Sequence, residues 1–225
     1  MDPRDYIAWR VAQELKDGDI VNLGIGLPTQ VVKFIPDEIK VILQSENGIL
    51  NMGPPPPIGE EDKNIVNAGG KTVTALPGGC FFDSALSFSI IRGGHVDLTV
   101  LGALEVDQQG NLANWMVPGK TVPGMGGAMD LVTGAKKVII AMEHCAKDGS
   151  SKILKQCQLP LTAKGQVNMI ITEKAVFEIL NGSLVLTELA PGVMLEEVVL
   201  STEAEFAVAS TMINQINIPS SAVCP

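Results

Sequence analysis

The sequence is poor in the residues that most readily declare a function. Basic side chains are outnumbered, 16 Lys and Arg against 25 Asp and Glu, for a formal charge of −9. A nucleic-acid binder needs a basic stripe to neutralise phosphates, so that class is excluded, and an anionic membrane surface is disfavoured on the same ground. Histidine occurs only as His95 and His144, and neither has a metal-ligand spacing such as HExxH. Each is expected to be a capping or surface residue, and no metal site is expected. Cys80, Cys145, Cys157 and Cys224 include no CxxC pair and read as reduced thiols of a cytoplasmic protein. Cys80 has no evident base beside it, so it is expected to be a small buried residue rather than a nucleophile. The N-terminus is charged and lacks the apolar core of a secretory signal. Phe206 to Pro225 carries no charge, yet its Ser, Thr, Asn and Gln residues make it too polar to span a bilayer.

What the chain does have is enough apolar material to fold. With 225 residues, 46% of them hydrophobic, it can bury a core without disulfides or metal, and disorder is excluded. Ile7, Val11 and Leu15 recur at helical spacing, and Gly18 reads as the stop of that helix. Ile20–Leu23 and Val41–Gln44 read as buried strands, with a helix between them that Pro36 ends. A loop containing Pro54–Pro57 follows. A helix from Ser84 to Arg92, a strand from Val96 to Leu101, a hairpin turn at Asp107–Gly110 and a short helix after Gly126-Gly127 come next. Further strands are read at Lys137–Met142, Val167–Ile171 and Leu184–Leu186, with a helix at Met194–Leu200. Continuous apolar strands alternating with helices predict one α/β domain over residues 1–225, an open, largely parallel sheet with flanking helices. Gly24-Ile25-Gly26, Ser45–Gly48 and Gly102 each follow a strand directly. If those strands are parallel neighbours, the three segments share the carboxyl edge, where sites of such sheets form.

Two nucleotide-binding motifs fail. Gly70-Lys71-Thr72 resembles the end of a P-loop, but Ile65 stands where that loop needs glycine. Gly24-Ile25-Gly26-Leu27-Pro28-Thr29 lacks the third glycine of a dinucleotide fingerprint, and a tight structural turn is the commoner cause of such a lone pair. The remaining candidate is Ser45-Glu46-Asn47-Gly48, one carboxylate between a buried strand and a glycine turn. Glu46 there is either merely solvated or a general base, metal ligand or nucleophile.

Ser45-Glu46-Asn47-Gly48 in this setting resembles the signature of family I coenzyme A transferases. The resemblance extends over Asn22–Pro28, Ile91–Asp97, Leu112–Trp115, Pro118–Lys120, Gly124–Leu131 and Leu159–Thr162. It is strongest to the beta (B) subunits of bacterial enzymes that move CoA between acetate or butyrate and acetoacetate. It implies the CoA-transferase/NagB-like fold and makes Glu46 a nucleophile that passes through a glutamyl-CoA thioester with ping-pong kinetics. It makes the Gly127 N–H an oxyanion donor, beside Gly126, and lets Gly24, Gly26, Asn47 and Gly48 shape the pocket. Lys71 and Lys120 are read as solvated lysines, with a contact to CoA phosphate as the alternative for either. Coenzyme A is then a co-substrate, with no permanently bound cofactor, and the partners are acyl-CoA, a short-chain carboxylic acid and an alpha subunit. The family's Gly-Gly-Phe motif is absent, and Gly78-Gly79-Cys80-Phe81 does not fit it. The chain is therefore expected to be inactive alone, within a heterotetramer of two alpha and two beta subunits. Asn51 departs from the glycine or alanine usual at its position, and the proline tract beyond it is unusual. Two other functions compete: an acyl-CoA hydrolase that passes the acyl group to water, and a non-catalytic metabolite-binding module of the same fold.

Overall fold

The computed structural model describes residues 1–119 and 124–214. Helix α1 (Pro3–Ala12) begins with proline in its first turn and has Asp5 near its N-terminus and Arg10 near its C-terminus, which suits the helix dipole. Regular helix ends at Ala12, earlier than Gly18. The chain continues through turns in which the Glu14 and Leu15 N–H groups bond the Val11 and Ala12 carbonyls, which keeps Leu15 buried. Strand β1 (Ile20–Leu23) follows, then a 3₁₀ helix over Leu27–Phe34 where an ordinary helix was expected. Pro28 near its start and Pro36 beyond its end bracket that segment.

Strands β2 (Ile42–Ser45), β3 (Ile49–Met52) and β4 (Ala75–Phe81) come next, with Pro54–Pro57 in irregular chain between the last two. Helix α2 (Ser84–Arg92) is capped by Asp83, whose carboxylate accepts the Leu86 N–H at 2.8 Å. It leads to β5 (Leu98–Leu101), then β6 (Glu105–Asp107) and β7 (Leu112–Ala113), joined by the expected turn. Helix α3 (Ala128–Gly134) and strands β8 (Lys137–Ala141), β9 (Ile153–Leu154) and β10 (Met169–Ile171) follow. The described chain closes with β11 (Ala175–Leu180), β12 (Ser183–Leu189), α4 (Leu195–Ser201) and β13 (Ala207–Asn214).

Ten strands form one sheet in the order β13-β12-β11-β10-β8-β5-β1-β2-β3-β4, and β7-β6-β9 form a small second sheet. Five of the nine neighbouring pairs in the large sheet are parallel. The parallel block β2-β1-β5-β8-β10 is central, and antiparallel pairings lie toward both ends. Side chains of β8 alternate between two cores: Val138 and Ile140 join one, Ile139 and Ala141 the other. That is the pattern of a strand covered on both faces. Ile7 and Val11 of α1 and Val31 of the 3₁₀ helix fill one core; Ile91 of α2, Leu131 of α3 and Val198 of α4 fill the other.

The order of connections decides where a site forms. From β1 the chain steps to β2 on one side, then returns to β5 on the other and moves outward to β8 and β10. Such a reversal opens a crevice at the carboxyl ends of the strands around it. Helix α3 packs on α2 so tightly that a β-carbon on Gly134 would lie 2.2 Å from the Ile91 carbonyl oxygen. This seats the N-terminus of α3 over that crevice.

Candidate active site

Glu46 is the first residue beyond β2, at the carboxyl edge of the parallel block, and is half-buried. Its turn is fixed by Gly48, whose N–H bonds the Ser45 carbonyl at 2.9 Å with φ at +114°. A β-carbon on Gly48 would lie 2.0 Å from the Phe82 carbonyl oxygen, so only glycine fits. A second segment laces over the turn: Ser45 Oγ accepts the Ala68 N–H at 3.0 Å, and Asn47 Nδ2 donates to the Val66 carbonyl at 2.7 Å. The Asn47 amide is thus engaged with backbone.

Two groups meet the Glu46 side chain. Asn22 of β1 donates from Nδ2 to Glu46 Oε2 at 3.2 Å. Gly127, the residue before α3, approaches from above: a β-carbon there would lie 3.0 Å from Glu46 Cγ and 3.4 Å from Phe88 Cζ. Gly126 beside it has φ +51° and open space around it. Gly127 and Glu46, both singled out in the sequence, thus lie side by side. An anion developing here would lie beside a helix N-terminus, where backbone N–H groups favour negative charge.

The glycines after β1 behave differently. Gly24 packs tightly, its N–H on the Val100 carbonyl at 2.8 Å and its missing β-carbon 3.0 Å from Leu101 Cδ2. It serves strand packing. Gly26 has φ +93° with no heavy atom near its missing β-carbon, and the neighbouring Ile25 is 71% exposed. Both sit on the same sheet edge as Glu46, because β1 and β2 are parallel neighbours. Gly102, after β5, joins them there.

Other sequence features resolve plainly. Gly70-Lys71-Thr72 lies in a hairpin turn closed by the Val66–Thr72 bridge, and Lys71 is exposed. Lys120 lies outside the described residues, as does Cys224. Asn51 has φ +59°, and its amide donates to the Pro77 carbonyl at 3.2 Å. Asparagine tolerates the left-handed region better than other side-chain-bearing residues. Asn51 therefore holds a backbone conformation that glycine adopts readily.

Two expectations are corrected. Cys80 is exposed rather than buried, because β4 is the edge strand and faces outward along most of its length. His144 is neither capping nor surface: it is fully buried, its ring nitrogens 3.0 Å from Thr172 Oγ1 and 2.9 Å from Thr202 Oγ1. Burial, with Lys174 and Lys152 nearby, pushes its pKa down to about 4. His95 is exposed, as expected. Among the described residues no cluster of His, Cys, Asp and Glu is arranged to hold a metal ion. No helix among them is long and apolar enough to cross a membrane. A hollow of about 520 Å³ lined by Asp107, Asn111, Cys157 and Lys164 involves none of the Glu46 contacts. Burial and the neighbouring Asp107 push the Cys157 thiol up to about 12, which leaves it unreactive.

Sequence reasoning passed over Asn22 and Gln44 as individual site residues. The signal was present: each is a polar residue within an apolar strand run, and each is almost completely buried.

The profile of the coenzyme A transferase family matches residues 4–201. The chain belongs to the coenzyme A transferase family. It is 64% identical over 209 residues to the acetate CoA-transferase subunit beta of Haemophilus influenzae, covering 93% of each chain. It is 53% identical over 211 residues to the mitochondrial succinyl-CoA:3-ketoacid coenzyme A transferase 2A of Rattus norvegicus, covering 93% of this chain and 41% of that one. In fold it is similar to the acyl-CoA transferase apoenzyme of Escherichia coli O157:H7, with TM-score 0.77 and 23% identity over 98% of this chain and 45% of that one. The family identity and the fold thus agree with the resemblance carried by the Ser45–Gly48 motif.

Proposed function

We propose that this chain is the glutamate-bearing subunit of a transferase that moves CoA between a short-chain acyl-CoA and a carboxylic acid of the acetate, butyrate, acetoacetate or succinate class. Glu46 is the nucleophile. A carboxylate oxygen attacks the thioester carbonyl, the carbon–sulfur bond breaks, and CoA thiolate leaves a mixed acyl-glutamyl anhydride. The thiolate then attacks the glutamyl carbonyl. The donor acid departs as carboxylate, and a glutamyl-CoA thioester remains. A second carboxylate attacks that thioester, and the same steps in reverse deliver CoA to the acceptor. One thioester is exchanged for another, so the cycle needs no ATP and no resident cofactor; coenzyme A enters as co-substrate.

The single observation that carries this reading is the close approach of Gly127, at the N-terminus of α3, to the Glu46 side chain. Tetrahedral intermediates need a donor where the oxyanion forms, and loss of one such donor typically costs about 10²–10³-fold in kcat. The Gly127 N–H takes that role. Gly126, Gly26, Gly48 and Asn47 shape the surroundings, Gly24 only through packing.

The relatives support a partner. The rat enzyme is more than twice as long as its matched part, and the Haemophilus relative is named as a beta subunit. An alpha subunit, in an assembly of two of each chain, completes the site, and CoA transfer requires both. Intact-mass analysis of the co-purified complex tests the mechanism. Incubation with acetoacetyl-CoA and no acceptor should leave a CoA adduct on Glu46 that acetate discharges. An active complex without that adduct rejects the thioester route. Loss of the acyl group to water, with no exchange between acids, would indicate a hydrolase instead.

A further inference from the structure

Beneath Glu46 lies a row of polar side chains that the reaction scheme leaves unused. In the register of the parallel strands, Asn22 of β1 stands opposite Gln44 of β2. Asn22, Gln44 and Ser87 of α2 are all almost completely buried. Asn22 Nδ2 lies 2.8 Å from Gln44 Oε1, and Gln44 Nε2 donates to Ser87 Oγ at 3.1 Å. Among the described residues Asn22 is the one side chain that donates to Glu46.

We infer that Gln44, braced by Ser87, is a positioning residue that holds the Asn22 amide with its N–H groups toward Glu46. The inference rests on Glu46 being the nucleophile. A carboxylate only accepts hydrogen bonds, so Asn22 must turn Nδ2 toward it. Nδ2 then also faces Gln44, which must present its oxygen and turn its own Nε2 toward Ser87. The charge on Glu46 therefore sets the direction of every bond in the row. Asn22 Oδ1 is buried and has no hydrogen-bond partner among the described residues. A buried unpaired carbonyl oxygen favours rotation of the amide, which would turn oxygen toward the carboxylate and remove its donor. Gln44 opposes that rotation, because the rotated amide would also set oxygen against Gln44 Oε1. Nδ2 also donates to the Gln44 main-chain carbonyl at 3.2 Å, a bond that any residue 44 keeps, so loss of the Gln44 side chain loosens the hold on the nucleophile rather than abolishing it.

A double-mutant cycle in the complex with its alpha subunit tests this. Gln44→Met removes both side-chain bonds at similar volume, and Asn22→Ala removes the group through which Gln44 acts. Gln44→Met should lower kcat by about 10- to 100-fold with KM for acyl-CoA within about twofold, since small misplacements of a reacting group cost this much. In the Asn22→Ala background the same substitution should change kcat by less than about twofold. Equal losses in both backgrounds, or a loss confined to KM, overturn the inference. If Gln44→Met does not fold, as judged by its thermal transition, Ser87→Ala enters the same cycle, with a smaller loss of about 3- to 10-fold expected. Glu46→Gln is assayed in parallel. If it stays active, both the nucleophile and the relay are wrong; if it is inactive while the cycle is additive, only the relay is wrong.

Discussion

Gly127 stands so close to Glu46 that a β-carbon at residue 127 would lie 3.0 Å from Glu46 Cγ. The neighbour that must yield is a flexible side chain, so Gly127→Ala should fold normally and push the carboxylate aside. Its kcat should fall by about 10²-fold with little change in thermal transition. Steady-state kinetics beside calorimetry checks both halves of that expectation.

Glu46→Gln keeps an oxygen to accept the Asn22 N–H, so the local network survives. An amide has no carboxylate oxygen with which to form the anhydride. Transfer should drop by about 10⁴-fold or more, while size-exclusion chromatography still shows assembly with the alpha subunit.

Gly48 and Gly26 separate backbone strain from collision. Both have positive φ, at +114° and +93°. Alanine at 48 would also strike the Phe82 carbonyl, whereas alanine at 26 meets open space. Gly48→Ala should destabilise the fold by about 3 kcal/mol or more, Gly26→Ala by about 1 kcal/mol. Urea unfolding of the two variants measures the difference.

Buried His144 makes stability depend on pH. Its pKa falls from 6.5 to about 4 in the folded state, mainly through desolvation. The neutral ring is favoured by folding, so this contribution is fully present above about pH 6.5 and is lost as pH falls toward 4. It amounts to roughly 3 kcal/mol at its greatest. Wild type should lose more stability between pH 7 and pH 4.5 than His144→Gln does, measured by urea midpoints. Equal losses would show that His144 is not responsible.

Thiol labelling of the isolated chain distinguishes Cys80 from Cys157. Cys80 is exposed on the edge strand; Cys157 is half-buried, with a thiol pushed up to about 12. At pH 8 a maleimide should modify Cys80 rapidly and Cys157 at least about tenfold more slowly, with peptide mapping assigning each adduct.

The central strands were legible because each is a predominantly apolar run, and burial on both faces demands that pattern. The carboxyl edge followed from them, and with it the position of Glu46. The outer strands were less visible because they are partly exposed and their composition is mixed. One of them had a clear signal that went unused: Asn181-Gly182, both at positive φ, form the tight turn between β11 and β12. The polar row was missed for a different reason. Asn22 and Gln44 interrupt apolar strands, and their meaning depends on which strands become neighbours. The environment of His144 depends on Thr172 and Thr202, which arrive from distant segments, so no local pattern could announce it.

Because β1 is where the chain reverses direction across the sheet, Glu46 is delivered by the segment built on one side and Gly127 by the segment built on the other. Neither half of the polypeptide can therefore bring Glu46 and Gly127 together before the two have docked. During refolding with the alpha subunit present, transfer activity should return only with the completed tertiary structure, lagging any signal from secondary structure alone.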